Sequence, residues 1–224
     1  MKSEKTQFRL LGIDDTARFP ILGSMFIAGI LIPLDKVDLL KKIKVKDSKL
    51  CTKKQIAEKA PQLMKNFEFK VIEVTANQIS NYNMNDLEGK AFYDIWDYFA
   101  NKYYWELNKE NEIKLIVYAD NFDHSREAFL NRLKKLNLCV DDDKWVISHD
   151  CDKNHMACSA ASIIAKYYHN QHIEQLHQIY GDIGNLNPGN LKTMAFLKAH
   201  LDELPDIVRS KYITVKKLYQ EELL

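Results

Sequence analysis

Apolar positions along this chain recur with two periods. Alternating or near-continuous runs of seven or eight residues suit strands, and spacings of three and four suit helices. QFRLLGID (residues 7–14) and GSMFIAGILI (23–32) read as two strands joined by the compact segment DTARFP, whose Pro20 disfavours continuous strand or helix. The chain therefore opens with a hairpin. FEFKVIEV (67–74), IKLIVYAD (113–120) and WVISHD (145–150) predict three further strands. After Pro33 comes a short amphipathic stretch, and Thr52 or a neighbour caps a helix running through Leu63. From Asp86 to Tyr104, Leu87, Ala91, Ile95 and Tyr98 fall at helical spacing. Another helix spans about 125–136. The longest candidate, 156–180, begins with the small residues ACSAAS, which permit close approach to another backbone. The turn NLNPGN (185–190) leads into a helix reaching about Leu204, which Pro205 stops. The C-terminal IVRSKYITVKKLYQEELL is ambiguous between a crossing segment and a terminal helix.

Strands alternating with helices of these lengths predict an α/β fold with a mixed central sheet flanked by helices, the hairpin supplying its antiparallel part. At 224 residues, the chain is expected to form one domain, 1–224, with about 185–224 as a C-terminal, largely helical extension. Composition, 46% hydrophobic and 28% charged, is that of a globular protein and excludes a disordered tail or a disulfide scaffold. Cys51, Cys139, Cys151 and Cys158 form no C-x-x-C pair, which favours a reducing compartment, and a cytoplasmic monomer is the expectation. The most hydrophobic stretch, 21–34, is too short and too rich in glycine and proline to span a membrane.

The net charge of +1 does not announce a nucleic-acid binder, but its distribution is uneven. Residues 41–54 carry seven lysines against Asp47 alone, while Asp141, Asp142 and Asp143 form an acidic run elsewhere. Such asymmetry can steer a polyanion, although a lysine run is as readily a solvated surface.

The sharper signal is acidic. Asp14 and Asp15 follow a hydrophobic strand and open a turn, an unfavourable place for two negative charges unless solvent, donors or a cation compensates them. Asp120 ends IKLIVYAD in the same manner, and Asp152 lies just beyond VISHD. Open α/β sheets gather ligands at strand ends, so three strands could bring these carboxylates together. Hard oxygen ligands suit Mg²⁺ or Mn²⁺, two of which could activate a water and stabilise a leaving oxygen. Taken singly, each aspartate is equally a turn or cap residue.

LGIDDTARFPILGSMFIAG resembles the GIDEAGRGPVLGP-type opening of type 2 ribonuclease H, also called ribonuclease HII, in its archaeal form. VKDSKLCTKK is similar to that family's DSKKL-T segment, MNDLEGKAFYDI to its N-L-N-x-x-E-x-x-A-F helix, and VYADNFD to its second carboxylate strand. SHDCDKNHMACSAASIIAKYYHNQ resembles K-A-D-A-K-Y-P-x-x-S-A-A-S-I-x-A-K, and YGDIG, the KT-x-x-FL turn and LPDIVRSKY carry the likeness nearly to the C-terminus.

The resemblance implies a ribonuclease H-like fold, a site built from Asp14, Asp15, Asp120 and Asp152, and two Mg²⁺ or Mn²⁺ ions, with Asp14 and Asp120 between them. It implies metal-dependent endonucleolytic hydrolysis of the RNA strand of RNA–DNA hybrids and incision at ribonucleotides embedded in duplex DNA. Substrate contacts would come from Ala17, Arg18 and Phe19, from Lys46, Asp47, Ser48 and Lys49, from His155, Ser159, Ser162 and Lys166, and from the C-terminal extension. The chain also departs from the pattern. The second acid is Asp15 rather than glutamate, Gly-Arg-Gly is Ala17-Arg18-Phe19, and the ribose-stacking tyrosine is His155, followed by Met156 instead of proline. Two further readings therefore stand beside the first: a nucleic-acid-binding homologue or subunit with little or no turnover, and a metal-dependent nuclease with another substrate preference. Asp123 and Asp150, which flank the proposed centre, could tune its field.

Overall fold

The computed structural model describes residues 7–107, 113–138, 144–200 and 205–222. Side chains are not described at 7, 104–107, 113, 219, 221 and 222. Five strands form one sheet: β1 (Gln7–Thr16), β2 (Met25–Pro33), β3 (Glu68–Val74), β4 (Ile113–Asp120) and β5 (Trp145–Ser148), in the order β3-β2-β1-β4-β5. The predicted opening hairpin is antiparallel, with Asp14 opposite Ala28 and Asp15 opposite Ile27. The expected turn at Asp14 and Asp15 is therefore corrected: both belong to the strand, and the chain leaves it only after Thr16. β3 continues the antiparallel side, whereas β4 and β5 run parallel to β1.

Both faces of the sheet are covered, which is why its central strands read as nearly continuous apolar runs. Odd-numbered residues of β1 and β2, among them Leu11, Ile13, Met25 and Ile27, pack with helix α4 (Met84–Leu107) and helix α5 (Arg126–Lys135). Ala28, Ile30 and Ile32 point the other way, toward α1 (Val37–Ile43), α2 (Lys53–Asn66) and α7 (Met156–Tyr180). The expected Thr52 cap is present as a capping box: its hydroxyl accepts from the Gln55 amide at 3.2 Å, and the Gln55 side chain accepts from the Thr52 amide at 3.0 Å. The helix continues beyond Leu63 to Asn66. Ser125 caps α5 in the same way through the Ala128 amide at 3.1 Å. Two short helices went unforeseen, α3 (Ala76–Asn81) and α6 (Cys151–Asn154); each is shorter than two turns and gives no apolar period to detect.

A third apolar cluster joins Ile21 and Leu22 of the β1–β2 connection to Leu176 of α7, to Phe196 and Leu197 of α8 (Leu191–Ala199), and to Val208 and Val215. The ambiguous C-terminal stretch proves to be both things at once. Val208 bridges Leu22 in antiparallel fashion, and α9 (Ile213–Glu222) follows. The helix expected to reach Leu204 ends at Ala199, and residues 201–204 lie outside the described ones, as do Cys139 and the Asp141–Asp143 run. Trp96 and Tyr103 pack against the α4 core rather than forming an open platform; the side chains of Tyr104 and Trp105 are not among those described. Among the described residues no helix is long and apolar enough to cross a membrane.

The small residues that begin α7 do admit a close backbone. A Cβ on Gly12 would lie 2.1 Å from the Ala157 carbonyl oxygen and 2.7 Å from the Cys158 amide nitrogen. The Cys158 thiol donates to the Ile13 carbonyl at 3.3 Å in the same contact. Neither partner is a flexible side chain that could move aside. Gly12→Ala is expected to push β1 from α7 at a cost of about 3 kcal/mol, lowering the melting temperature by about 6–12 °C. Thermal unfolding followed by circular dichroism checks this, and an unchanged melting temperature would refute the close-packing account.

Candidate active site

Parallel pairing decides where the carboxylates meet. Ile13 of β1 sits beside Ala119 of β4, so the next residues along each strand, Asp14 and Asp120, emerge at the same end of the sheet. Ser148 of β5 sits beside Asp120, and the chain then turns through Asp150, in the left-handed region at φ 56°, into α6, which carries Asp152. One ligand oxygen from each of Asp14, Asp15 and Asp120 falls within a mutual 4.8 Å. Asp152 stands behind this trio, 1% exposed, with Oδ1 lacking any hydrogen-bond partner and Oδ2 3.5 Å from the Lys49 ammonium.

Crowding and burial raise all four acids. Burial pushes Asp14 well above the usual carboxylate range; Asp15 and Asp120 add repulsion, and a hydrogen bond from Ser162 only partly offsets them. Asp15 is raised by burial against the opposing pull of Arg18 and Lys49. Asp120 is pushed up to about 6, again chiefly by burial, although the Cys151 amide donates to its Oδ1 at 2.8 Å. Burial also raises Asp152, with Lys49 lowering it and the neighbouring Asp47 raising it. Lys49 responds in kind. Its partial burial disfavours the ammonium, yet Asp152, Asp14, Asp47 and Asp120 together hold its pKa above the ordinary value.

Asp14, Asp15, Asp120 and Lys49 line a cleft of about 630 Å³ together with Thr16, Ala17, Arg18, Phe19, Ser48, Cys51, Asn121, Phe122, His149, Ser162 and Lys166, whereas Asp152 is not part of its lining. Ser162 and Lys166 lie one turn apart on α7, and the Ser162 and Ser48 hydroxyls share a 2.7 Å hydrogen bond. Burial lowers the Lys166 pKa. Asp47 holds its loop by accepting from the Lys49 amide at 2.7 Å. Lys46 is exposed and lies outside the cleft lining. Ser159 is also elsewhere: its hydroxyl donates to the Asp152 carbonyl at 2.5 Å. His155 precedes α7 and stacks on Tyr118, ring centroids 4.3 Å apart, away from the cleft lining.

Arg18 is engaged by protein groups. Its guanidinium pairs with the buried Glu88 of α4 and donates to Asn85 Oδ1. Asn85 in turn donates to Asp123 at 3.0 Å, and Arg132 grips Asp123 from Nε and Nη2, each at 2.8 Å. Those hydrogen bonds hold the Asp123 carboxylate below its usual range. Asp123 therefore braces the Arg18 socket, whereas Asp150 is exposed and bonded to Lys153 at 2.8 Å. The Arg18 carbonyl accepts from Tyr212 and from Arg209, and Arg209 Nε donates to the Gly23 carbonyl at 2.8 Å. Sequence reasoning assigned no role to Asn85, Glu88, Arg209 or Tyr212. All four stood in motifs quoted for their likeness, MNDLEGKAFYDI and LPDIVRSKY, but nothing in the second signals that Arg209 and Tyr212 reach a turn some 190 positions away.

A trio of acids, Asp14 buried and Asp15 and Asp120 half-buried, with raised pKa values, beside an orphaned Asp152 oxygen, fits hard divalent cations, since binding them would offset the repulsion and supply a partner. Residues 11–215 match the Ribonuclease HII family. The ribonuclease HII of Methanococcus vannielii is 33% identical over 221 residues, covering 95% of this chain and 86% of that protein. The ribonuclease HII of Methanocaldococcus jannaschii is 33% identical, covering 93% and 94%. Among solved structures, the ribonuclease H2 of Pyrococcus horikoshii superposes with a TM-score of 0.78 at 27% identity, covering 95% of this chain and 98% of the other. The mixed sheet with helices on both faces is thus a ribonuclease H-like fold with a helical C-terminal region, and the chain belongs to the ribonuclease HII family.

Proposed function

We propose that this protein is a metal-dependent endoribonuclease that hydrolyses the RNA strand of RNA–DNA hybrids, with incision at ribonucleotides embedded in DNA as the narrower form of the same activity. The observation that carries the reading is the convergence of Asp14, Asp15 and Asp120 within 4.8 Å at the floor of an open cleft. Asp14, Asp15, Asp120 and Asp152 would hold the Mg²⁺ or Mn²⁺ ions. When bound, such ions activate the attacking water and stabilise the departing oxygen, so no nucleophilic side chain is required. Lys49 and Lys166 supply positive charge along the cleft, where phosphates of the strand would lie. The C-terminal region from about 185 onward serves the substrate indirectly, by holding the Ala17–Phe19 turn.

A second reading, a nuclease with altered substrate preference, is favoured by Ala17 and Phe19. Ala17 holds φ at 66°, a conformation costing a residue with a side chain about 1–2 kcal/mol. The turn thus keeps a glycine-like path without the glycine's bare surface. A panel of labelled RNA–DNA hybrid, single-ribonucleotide duplex, DNA duplex and structured RNA separates the two readings. Cleavage of hybrid with Mg²⁺ or Mn²⁺, reduced by about a hundredfold or more in Asp14→Asn, is expected. Metal-independent cleavage, or Asp14→Asn matching wild type, would sink both readings.

The raised carboxylates also set a pH dependence. A folded-state pKa above the unfolded value means the native protein holds protons that the unfolded chain releases. For Asp120 this stabilising contribution is complete below the unfolded value near 3.8 and is lost as pH rises through about 6. The metal-free protein is therefore expected to melt at a lower temperature at pH 7.5 than at pH 5. Because the ligating form is deprotonated, Mn²⁺ should raise the melting temperature more at pH 7.5 than at pH 5. Asp14→Asn removes one buried charge and should raise the metal-free melting temperature at pH 7.5, by about 2–4 °C for each kcal/mol of repulsion relieved. Differential scanning calorimetry across both pH values decides, and a Mn²⁺ shift independent of pH would contradict the carboxylate assignment.

A further inference from the structure

The β1–β2 connection presents to the cleft a side chain that does not match the chemistry expected of it. Arg18, the residue best suited by charge to meet a phosphate, turns into the protein and is held by Glu88 and Asn85. Its neighbour Phe19 does the reverse. It is 76% exposed, the most exposed phenylalanine of the described residues, and it lines the same cleft as the three acids. An aromatic ring held in water forgoes the stabilisation of burial.

The backbone beneath the ring is fixed on several sides. The Ile21 amide donates to the Leu186 carbonyl at 2.9 Å, the Gly23 amide to Ile207 at 2.6 Å, and the Arg209 amide to Ile21 at 2.9 Å. Tyr212 and Arg209 hold the Arg18 carbonyl itself. A ring on such a frame loses little further freedom on contact, which favours binding. Meanwhile His155, stacked on Tyr118, does not line the cleft.

We propose that Phe19 packs its ring face against a sugar of the duplex bound in the cleft it shares with the acids. This rests on the reading that the cleft takes a nucleic acid. A phenyl ring has neither donor nor acceptor, so it contributes affinity by covering the apolar face of the sugar and reads no 2′-hydroxyl. Phe19 therefore tightens binding to hybrid and to all-DNA duplex alike, and selection of RNA falls to other groups in the cleft.

The test uses the full chain in an Asp14→Asn background, with fluorescein-labelled RNA–DNA hybrid and DNA duplex followed by anisotropy. Phe19→Ala is expected to weaken both affinities by about 5- to 20-fold, Phe19→Trp to restore them, and the melting temperature to stay within error because the ring is exposed. An unchanged affinity in Phe19→Ala overturns the proposal. So does a loss confined to the ribonucleotide-containing probe, or tighter binding in Phe19→Gly, which would make the ring an obstruction rather than a contact. Wild-type protein that cleaves hybrid while Phe19→Ala binds normally removes this inference alone. Wild-type protein that binds neither probe removes the proposed function as well.

Discussion

Four carboxylates gathered where three parallel strands end repel one another in a partly dry setting, and much of the surrounding structure follows from holding them there. The parallel register of β1 and β4 places Asp14 next to Asp120 through backbone hydrogen bonds, which do not yield to side-chain repulsion. Gly12 presses β1 onto the start of α7, so Ser162 reaches Asp14 and the Ser48 loop closes over it. Lys49 swings its ammonium toward Asp152 from that loop, giving partial compensation. It cannot reach full compensation, since an orphaned Asp152 oxygen remains. The two apolar faces thereby stabilise a fold that holds these carboxylates in an electrostatically unfavourable cluster.

A second requirement acts on the turn after β1. Its shape depends on side chains far away in sequence: Asn85 and Glu88 on the Arg18 guanidinium, Arg209 and Tyr212 on the Arg18 carbonyl. Arg209 is fully buried, and burial lowers its pKa, so the hydrogen bonds it makes to backbone carbonyls have to offset a large desolvation cost. The C-terminal region accordingly belongs to the site without lining its floor.

The long elements were legible in the sequence because their periods are long enough to measure. Five strands, the capped α2, the Asp86 helix and the small-residue face of α7 all follow from pattern, and the burial of both sheet faces explains the near-continuous apolar runs. The short α3 and α6 were not legible, since four to six residues carry no period. The acids at the strand ends could be suspected from their places, but only register shows that Asp14 and Asp120 emerge together, with Asp152 arriving separately on α6. The direction of Arg18 was beyond reach. An arginine three residues past Asp15 invites a phosphate, and nothing in local sequence reveals that Glu88 and Asn85, some 70 positions on, will take it first.

The two halves of the site are thus secured by different means, and that difference bears on how each can change. The acidic half is fixed by strand register, so Asp14 and Asp120 stay together as long as the sheet exists. The β1–β2 turn is fixed by a side-chain clamp around the Arg18 carbonyl, leaving the outward Phe19 side chain exposed. Ala17 occupies a left-handed position at φ 66° and Phe19 projects into solvent, yet the hydrogen bonds at Arg18, Ile21 and Gly23 are all made. The clamp holds the backbone path even with Ala17 at a conformation that favours glycine. At position 19 the side chain faces outward, so it changes the character of the cleft wall while strand register keeps Asp14 and Asp120 where they are.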